Sequence, residues 1–246
     1  MPSGLPEPVA AEGEYARRGD YHRHLDPDWS YAPIYERKLR WLDAAIATIP
    51  KTAAILDAGA GEGALVERYR NSGWNVLGVD AAYESEQVRR ADLLHLPFPD
   101  GSFDAVLCLD VLEHLALLDQ PRAVAEMARV LKPEGRLLMS VPNLAHLHSR
   151  IRFLLSGKLT RTSAVERHPG DRPLGEYLEL LRTNGFQLLR RSGIFATLPI
   201  AFKAVNRNPR KLGWLVSLAD SLVPFSGLKF LAVLEAVKRP APRQPR

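Results

Sequence analysis

Apolar positions along the chain follow two periods in alternation. Tyr35, Leu39, Leu42, Ile46 and Ile49 recur at helical intervals, and the series stops at Pro50, which predicts an N-terminal helix. After it come short, nearly continuous apolar runs. TAAILDA (52–58) predicts a first buried strand, with a helix over 63–72 behind it. WNVLGVD (74–80) predicts a second strand ending on Asp80, QVRRADL (87–93) a short third and SFDAVLCLDVL (102–112) a fourth. Pro121 opens a helix with Val124, Met127, Ala128 and Leu131 on one face, closed by the turn KPEG (132–135). RLLMSVP (136–142) is the fifth strand, LGEYLELLRTNGF (174–186) a helix ended by Gly185, and QLLRRSGIF (187–195) the sixth strand. LKFLAVLEAVKR (228–239) reads as the last strand. Strands alternating with helices predict an α/β fold, a parallel sheet covered by helices.

One connection is longer than a hairpin needs. Within 199–227, Leu212, Leu215, Val216, Ala219, Leu222 and Val223 form one apolar face, with Lys203, Arg207, Arg210 and Lys211 just ahead. A basic, amphipathic element of this kind can lie on a membrane surface or shelter an apolar acceptor. A lid or dimer helix with a buried face is the alternative. The Pro-rich ends, 1–14 and 239–246, are expected to be disordered. Residues 15–50 then form a helical cap, whose aromatic-rich part holds Tyr31 and Tyr35 as candidate ligand contacts, and 51–238 form the main domain.

Composition narrows the setting. At 246 residues and 46% hydrophobic content the chain can fill one large core. A single cysteine, Cys108, rules out an internal disulfide framework and a thiolate metal cluster, so a reducing, cytoplasmic setting is expected. The N-terminus lacks the basic-then-apolar pattern of an export signal. The net charge of +5 hides an asymmetry, since residues 182–246 carry 12 Lys and Arg against two Asp and Glu. Such an end suits anionic lipid, a phosphorylated acceptor or nucleic acid, or is a solvated surface.

The chemistry concentrates in ILDAGAGEG (55–63). A strand, a glycine-rich turn and a helix leave free N–H groups and a positive helix end at the carboxyl edge of a sheet. Asp80, 21 residues after Gly59 at the next strand end, can bind both hydroxyls of a ribose. GAGEGA also satisfies the dinucleotide pattern, so these residues alone specify only a nucleoside pocket. Asp57 changes the balance. A carboxylate two residues before the first glycine would repel a pyrophosphate, whereas it would attract the ammonium of an aminoacyl sulfonium. On the turn after strand three, Asp92 can accept from an adenine amine while Leu93 N–H donates to a ring nitrogen.

These stretches resemble the class I S-adenosylmethionine-dependent methyltransferases, in particular the small-molecule group that includes the ubiquinone-biosynthesis type O-methyltransferases. LDAGAGEG matches the first motif, Val79–Asp80 the second and ADLLHLPF the adenine motif. FDAVLCLDVLEHL and ARVLKPEGRLLMSVPN match the motifs at strands four and five. The resemblance covers roughly residues 35–195 and implies a Rossmann-like, doubly wound sheet of about seven strands, the last one antiparallel. It implies S-adenosylmethionine as cofactor, with Asp57, Gly59, Ala60, Gly61 and Gly63 along its methionine part. Asp80 takes the ribose, Ala81 the adjacent adenine face, Asp92 and Leu93 the base, and Leu109 packs near the sulfonium.

A hydroxyl acceptor needs a proton acceptor beside it, and histidine suits neutral pH. His114, in VLEHL, belongs to a structural motif of the family and is a first candidate. His168 is a second: relatives carry His-x-Arg with aromatics there, 17 residues before Gly-Phe, whereas PGDRP follows it here. That departure puts the relatives' acceptor pocket in doubt for this chain. His146 and His148 read as solvated helix residues. No cluster of acids on the acceptor side points to a divalent metal, and no Asn/Asp-Pro-Pro-Tyr motif or paired cysteine points to base or amide methylation. The expected function is O-methylation of a small or lipid-linked molecule, with peripheral membrane contact through 199–227. An RNA methyltransferase, a nucleotide-cofactor oxidoreductase and a non-catalytic binding module remain as alternatives.

Overall fold

The computed structural model describes residues 23, 25–161, 163 and 165–240. The segment 1–14 and residues 241–246 of the Pro/Arg-rich tail lie outside them. Seven strands form one sheet in the order β3-β2-β1-β4-β5-β7-β6. They are β1 (Ala54–Ala58), β2 (Asn75–Asp80), β3 (Val88–Arg90), β4 (Phe103–Leu109), β5 (Leu131–Pro142), β6 (Phe186–Ala196) and β7 (Lys229–Lys238). β7 runs antiparallel to both neighbours, and the pairings among β1 to β5 are parallel. The order reverses between β1 and β4, so their carboxyl ends open a crevice, the usual ligand position in a sheet of this type.

The helices are α1 (Ala32–Ile46), α2 (Ala64–Asn71), α3 (Gln120–Val130), α4 (Leu147–Ser156), α5 (Leu174–Thr183), α6 (Pro199–Arg207), α7 (Pro209–Leu212) and α8 (Trp214–Leu222), with a 3₁₀ turn at Leu112–His114. Each central strand is buried on both faces, which is why its sequence is an unbroken apolar run. Val124, Met127 and Val130 of α3 pack with Leu180 and Leu181 of α5 on one face. Leu42, Ile46, Leu65 and Val66 of α1 and α2 cover the other.

Two elements differ from their sequence patterns. KPEG does not precede β5 but lies inside it: Leu131 pairs with Phe103, Glu134 takes a left-handed φ of 63°, and the ladder resumes at Arg136. The 199–227 face also divides. Pro209, which has no N–H to donate, interrupts the helical segment after Asn208, so three short helices form. Val205, Val216 and Ala219 turn inward against β6 and β7, while Leu222 is 65% exposed. Asp220 anchors the segment by accepting from the N–H groups of Phe195 and Ala196, 3.1 and 2.8 Å away, and by pairing with Lys229 and Arg37. No helix among the described residues is long and apolar enough to cross a membrane.

Candidate active site

The turn from β1 into α2 is built on glycine geometry. Gly59, Gly61 and Gly63 have φ values of 93°, 56° and 87°, in the left-handed half of the map that side chains disfavour. Gly59 and Ala60 both donate their N–H groups to Val79 carbonyl oxygen, which ties the turn to the end of β2. Asp57 sits below the turn, buried. Burial, and then the charge of Asp80, push its carboxyl up to about 7, although Lys38 pulls the other way. Burial therefore disfavours its charged form.

Asp80 is partly committed to the backbone. Its Oδ2 accepts from Gly61 N–H at 2.9 Å, and its Oδ1 from Ala82 and Tyr83 N–H at 2.8 and 3.2 Å. A carboxylate offers about four acceptor positions, so Oδ2 keeps one for an outside donor, whereas the sequence suggested that both oxygens are free. Ala81 follows at the exposed rim. Asp92 is exposed and its Oδ1 accepts from Leu94 N–H, an Asx turn that aims the carboxylate outward, while the Leu93 side chain points into the core. Leu109 is half-buried at the carboxyl end of β4. The predicted cofactor residues thus line one continuous edge, from β1 across β2 to the loop after β3, with Leu109 at β4.

Beside Leu109 lies a network that the motifs did not announce. Asp110 has φ 55° and accepts from Lys38 Nζ at 2.7 Å, Tyr31 hydroxyl at 2.8 Å and the Ser140 hydroxyl. Burial alone would raise its carboxyl, but the Lys38 charge and these hydrogen bonds outweigh it and hold Asp110 below the usual carboxylate range. Lys38 is fully buried, its ammonium 5.8 and 5.0 Å from the centres of the Tyr31 and Tyr35 rings. Helical spacing was the available signal, because Lys38 lies between Tyr35 and Leu42 on the buried face of α1. Tyr31 thus reaches the site through Asp110, and Tyr35 is a core residue.

The four histidines separate into two pairs. His146 is buried, not solvated: it caps α4, its Nδ1 lies 2.8 Å from Thr197 Oγ1, and burial drives its pKa down to about 4. His148 is part-buried, stacked on Phe202 at 4.8 Å. The apolar wall formed by Phe202 and Phe230 accounts for both departures from expectation.

His114 and His168, 54 positions apart in sequence, meet with ring centres 4.7 Å apart and planes at 87°. Packing around the ring and then the His168 charge lower the His114 pKa, although the residue itself remains exposed. Glu113 joins them, and one donor atom from each of the three residues lies within 4.8 Å of the others. Burial, followed by the Asp110 charge, pushes the Glu113 carboxyl well above the carboxylate range. Glu113 could not be singled out by sequence, since an acid in VLEHL has no visible partner until the fold brings His168 to it.

Comparison with known proteins agrees with this geometry. Residues 56–139 match the family model described as a methyltransferase domain. The chain is 34% identical over 151 residues to a "Probable S-adenosylmethionine-dependent methyltransferase" of Mycolicibacterium smegmatis, covering 57% of this chain and 54% of that one. It is 31% identical over 140 residues to a ubiquinone biosynthesis O-methyltransferase of Thiobacillus denitrificans, covering 50% and 59% respectively. The chain therefore spans little more than half the length of these curated relatives. Among solved structures, a SAM-dependent methyltransferase of Archaeoglobus fulgidus shares the fold, with a TM-score of 0.55 and 16% identity over 83% of this chain and 94% of that one.

Proposed function

The chain belongs, through residues 56–139 and the strand order around them, to the class I S-adenosylmethionine-dependent methyltransferases, and on that premise we propose that it methylates a hydroxyl of a small or lipid-linked acceptor. The observation that carries this reading is the row of acids at the carboxyl edge of β1, β2 and β4, with a bare glycine turn between them. When bound, S-adenosylmethionine supplies a methyl group on a positively charged sulfur. Asp57 meets the ammonium of its aminoacyl end, Oδ2 of Asp80 accepts from a ribose hydroxyl, and Asp92 with Leu93 N–H takes the adenine. Ala60 and Ala81 complete the contacts without bulk. Leu109 keeps the methyl position apolar. The acceptor enters beside His114 and His168, which stand where its proton has to go.

Two features support an apolar or lipid-linked acceptor. The name of the Thiobacillus denitrificans relative, a ubiquinone biosynthesis O-methyltransferase, is one. The other is a surface on which Leu154, Leu155 and Ile200 are 84, 83 and 86% exposed, with Arg152 and Lys203 both close enough to lower the His148 pKa, burial acting first. Apolar residues framed by cations suit an anionic membrane surface, and α4 extends the membrane-facing role proposed for 199–227. Incubation with methyl-labelled S-adenosylmethionine and phenols with or without an isoprenoid chain tests the assignment. Label in an organic-soluble ether is the expected result. Label in RNA, or in no acceptor, would sink it.

Asp57 makes cofactor binding pH-dependent in a defined direction. Without a cationic partner it holds a proton up to about pH 7, and an ammonium ligand favours its ionised form, so binding expels that proton. Affinity is expected to rise with pH through about 7 and to fall again above about 8, where an α-amino group loses its charge. Calorimetry across pH 5.5–9 measures this, and Asp57→Asn should flatten the rising limb. A flat wild-type profile below pH 7 would contradict the assignment.

A further inference from the structure

The junction of His114 with His168 is held by more than the two rings. The loop that carries His168 is clamped to the 3₁₀ turn after β4: Gly170 N–H donates to Glu113 carbonyl oxygen at 3.0 Å. The buried Gln120 side chain donates to the carbonyls of Leu112 and Gly170, both at 2.8 Å, and accepts from Arg172 Nε. A Cβ on Gly170 would clash with Gln120 Nε2 and with Leu115 carbonyl oxygen, so the approach admits glycine alone. The His168 loop is thus pinned against the turn that carries Glu113 and His114.

Both imidazoles are also oriented from behind. His114 Nδ1 lies 2.9 Å from Arg167 carbonyl oxygen, which can only accept, so this nitrogen carries the proton and Nε2 the lone pair. His168 Nδ1 lies 3.4 Å from a carboxylate oxygen of Asp171, whose side chain is fully buried, which favours the same tautomer. A carbonyl or carboxylate behind a histidine is the arrangement that fixes metal-ligating imidazoles. Beside the rings stands Glu113, 1% exposed, with Oε2 lacking any hydrogen-bond partner among the described residues. A buried carboxylate oxygen left so is costly unless a cation meets it.

We propose that Glu113, His114 and His168 bind a divalent first-row transition cation on the acceptor side of the crevice. Two imidazoles and one carboxylate favour zinc, cobalt, iron or manganese over magnesium and calcium, which prefer all-oxygen sets. Three protein donors leave coordination positions open for water or an acceptor oxygen. This rests on the methyl-transfer reading only for the acceptor oxygen; the cation site itself stands on the three side chains. With the cation bound, the histidines would act as its ligands instead of taking the proton themselves, and the cation would lower the pKa of a bound hydroxyl, whose proton would pass to solvent.

Titration of the metal-free full chain with Co²⁺, followed by visible absorption, tests the site directly. One equivalent should develop d–d bands in the visible, Zn²⁺ should abolish them, and millimolar Mg²⁺ should leave them in place. Glu113→Gln and His168→Ala should each weaken Co²⁺ binding by about 100-fold or more, and Asp171→Asn, which removes a supporting carboxylate, by about 10–100-fold. S-adenosylmethionine affinity, measured on the same samples, reports whether each variant is folded and whether the cofactor reading stands. Absence of a stoichiometric spectrum, or a His168→Ala variant that binds cofactor and Co²⁺ like wild type, overturns the proposal.

Discussion

Replacing Lys38 with methionine is expected to destabilise the chain by about 3–5 kcal/mol, the cost of leaving a buried charge without its partner. Lys38 is fully buried and Asp110 only 15% exposed, so water cannot substitute for the lost ammonium. The remaining donors to Asp110, Tyr31 and Ser140, are neutral hydroxyls. The double variant Lys38→Met with Asp110→Asn should recover much of the loss, because it removes both charges together. Urea unfolding at pH 7 gives both values, and a single-variant loss under about 1 kcal/mol would contradict the pairing.

The pH dependence has a definite sign. Asp110 titrates below its unfolded value, so its contribution is full above about pH 4 and disappears as the pH falls through the lower folded value. The difference between wild type and variant should shrink in that acid range. Lys38 also opposes the upward shift of Asp57, so its loss should weaken S-adenosylmethionine binding at neutral pH. Stability and cofactor affinity are coupled through one ammonium group.

Gly59→Ala is expected to cost about 2–6 kcal/mol and to remove most cofactor binding. The backbone at φ 93° charges a side chain about 1–3 kcal/mol. The new Cβ would also clash with the Val111 side chain, an overpacking of about 1–3 kcal/mol. Val111 follows β4, so relief by movement displaces either the glycine turn or the segment leading to Glu113 and His114. Adding Val111→Ala should restore the steric part and leave the conformational part. Thermal unfolding and cofactor titration of the single and double variants check this, and a Gly59→Ala chain as stable as wild type would refute the geometry.

What the sequence made legible was whatever local chemistry determines. The apolar runs of β1 and β4, the glycine turn and the acids at successive strand ends are each contained in a dozen residues, and their physics is the same before and after folding. The boundary of β5 was less legible because its first residue pairs with Phe103 across a turn that resembles a terminator. His146 was misjudged because its burial comes from Phe202 and Phe230, which arrive from the 199–227 segment and β7. Lys38 was legible in principle, since its helical position is apolar on either side. The meeting of Glu113, His114 and His168 was not, because the loop clamp at Gly170 and Gln120 joins elements separated by 50 residues.

Calorimetric titration of the chain with S-adenosylmethionine, its demethylated product and NAD is the most direct test of the cofactor edge. One site per chain for the first two, no heat from NAD, and an Asp80→Asn variant weakened by about 1–3 kcal/mol are the predicted results. NAD binding in preference, or a chain indifferent to the sulfonium compound, would contradict the account.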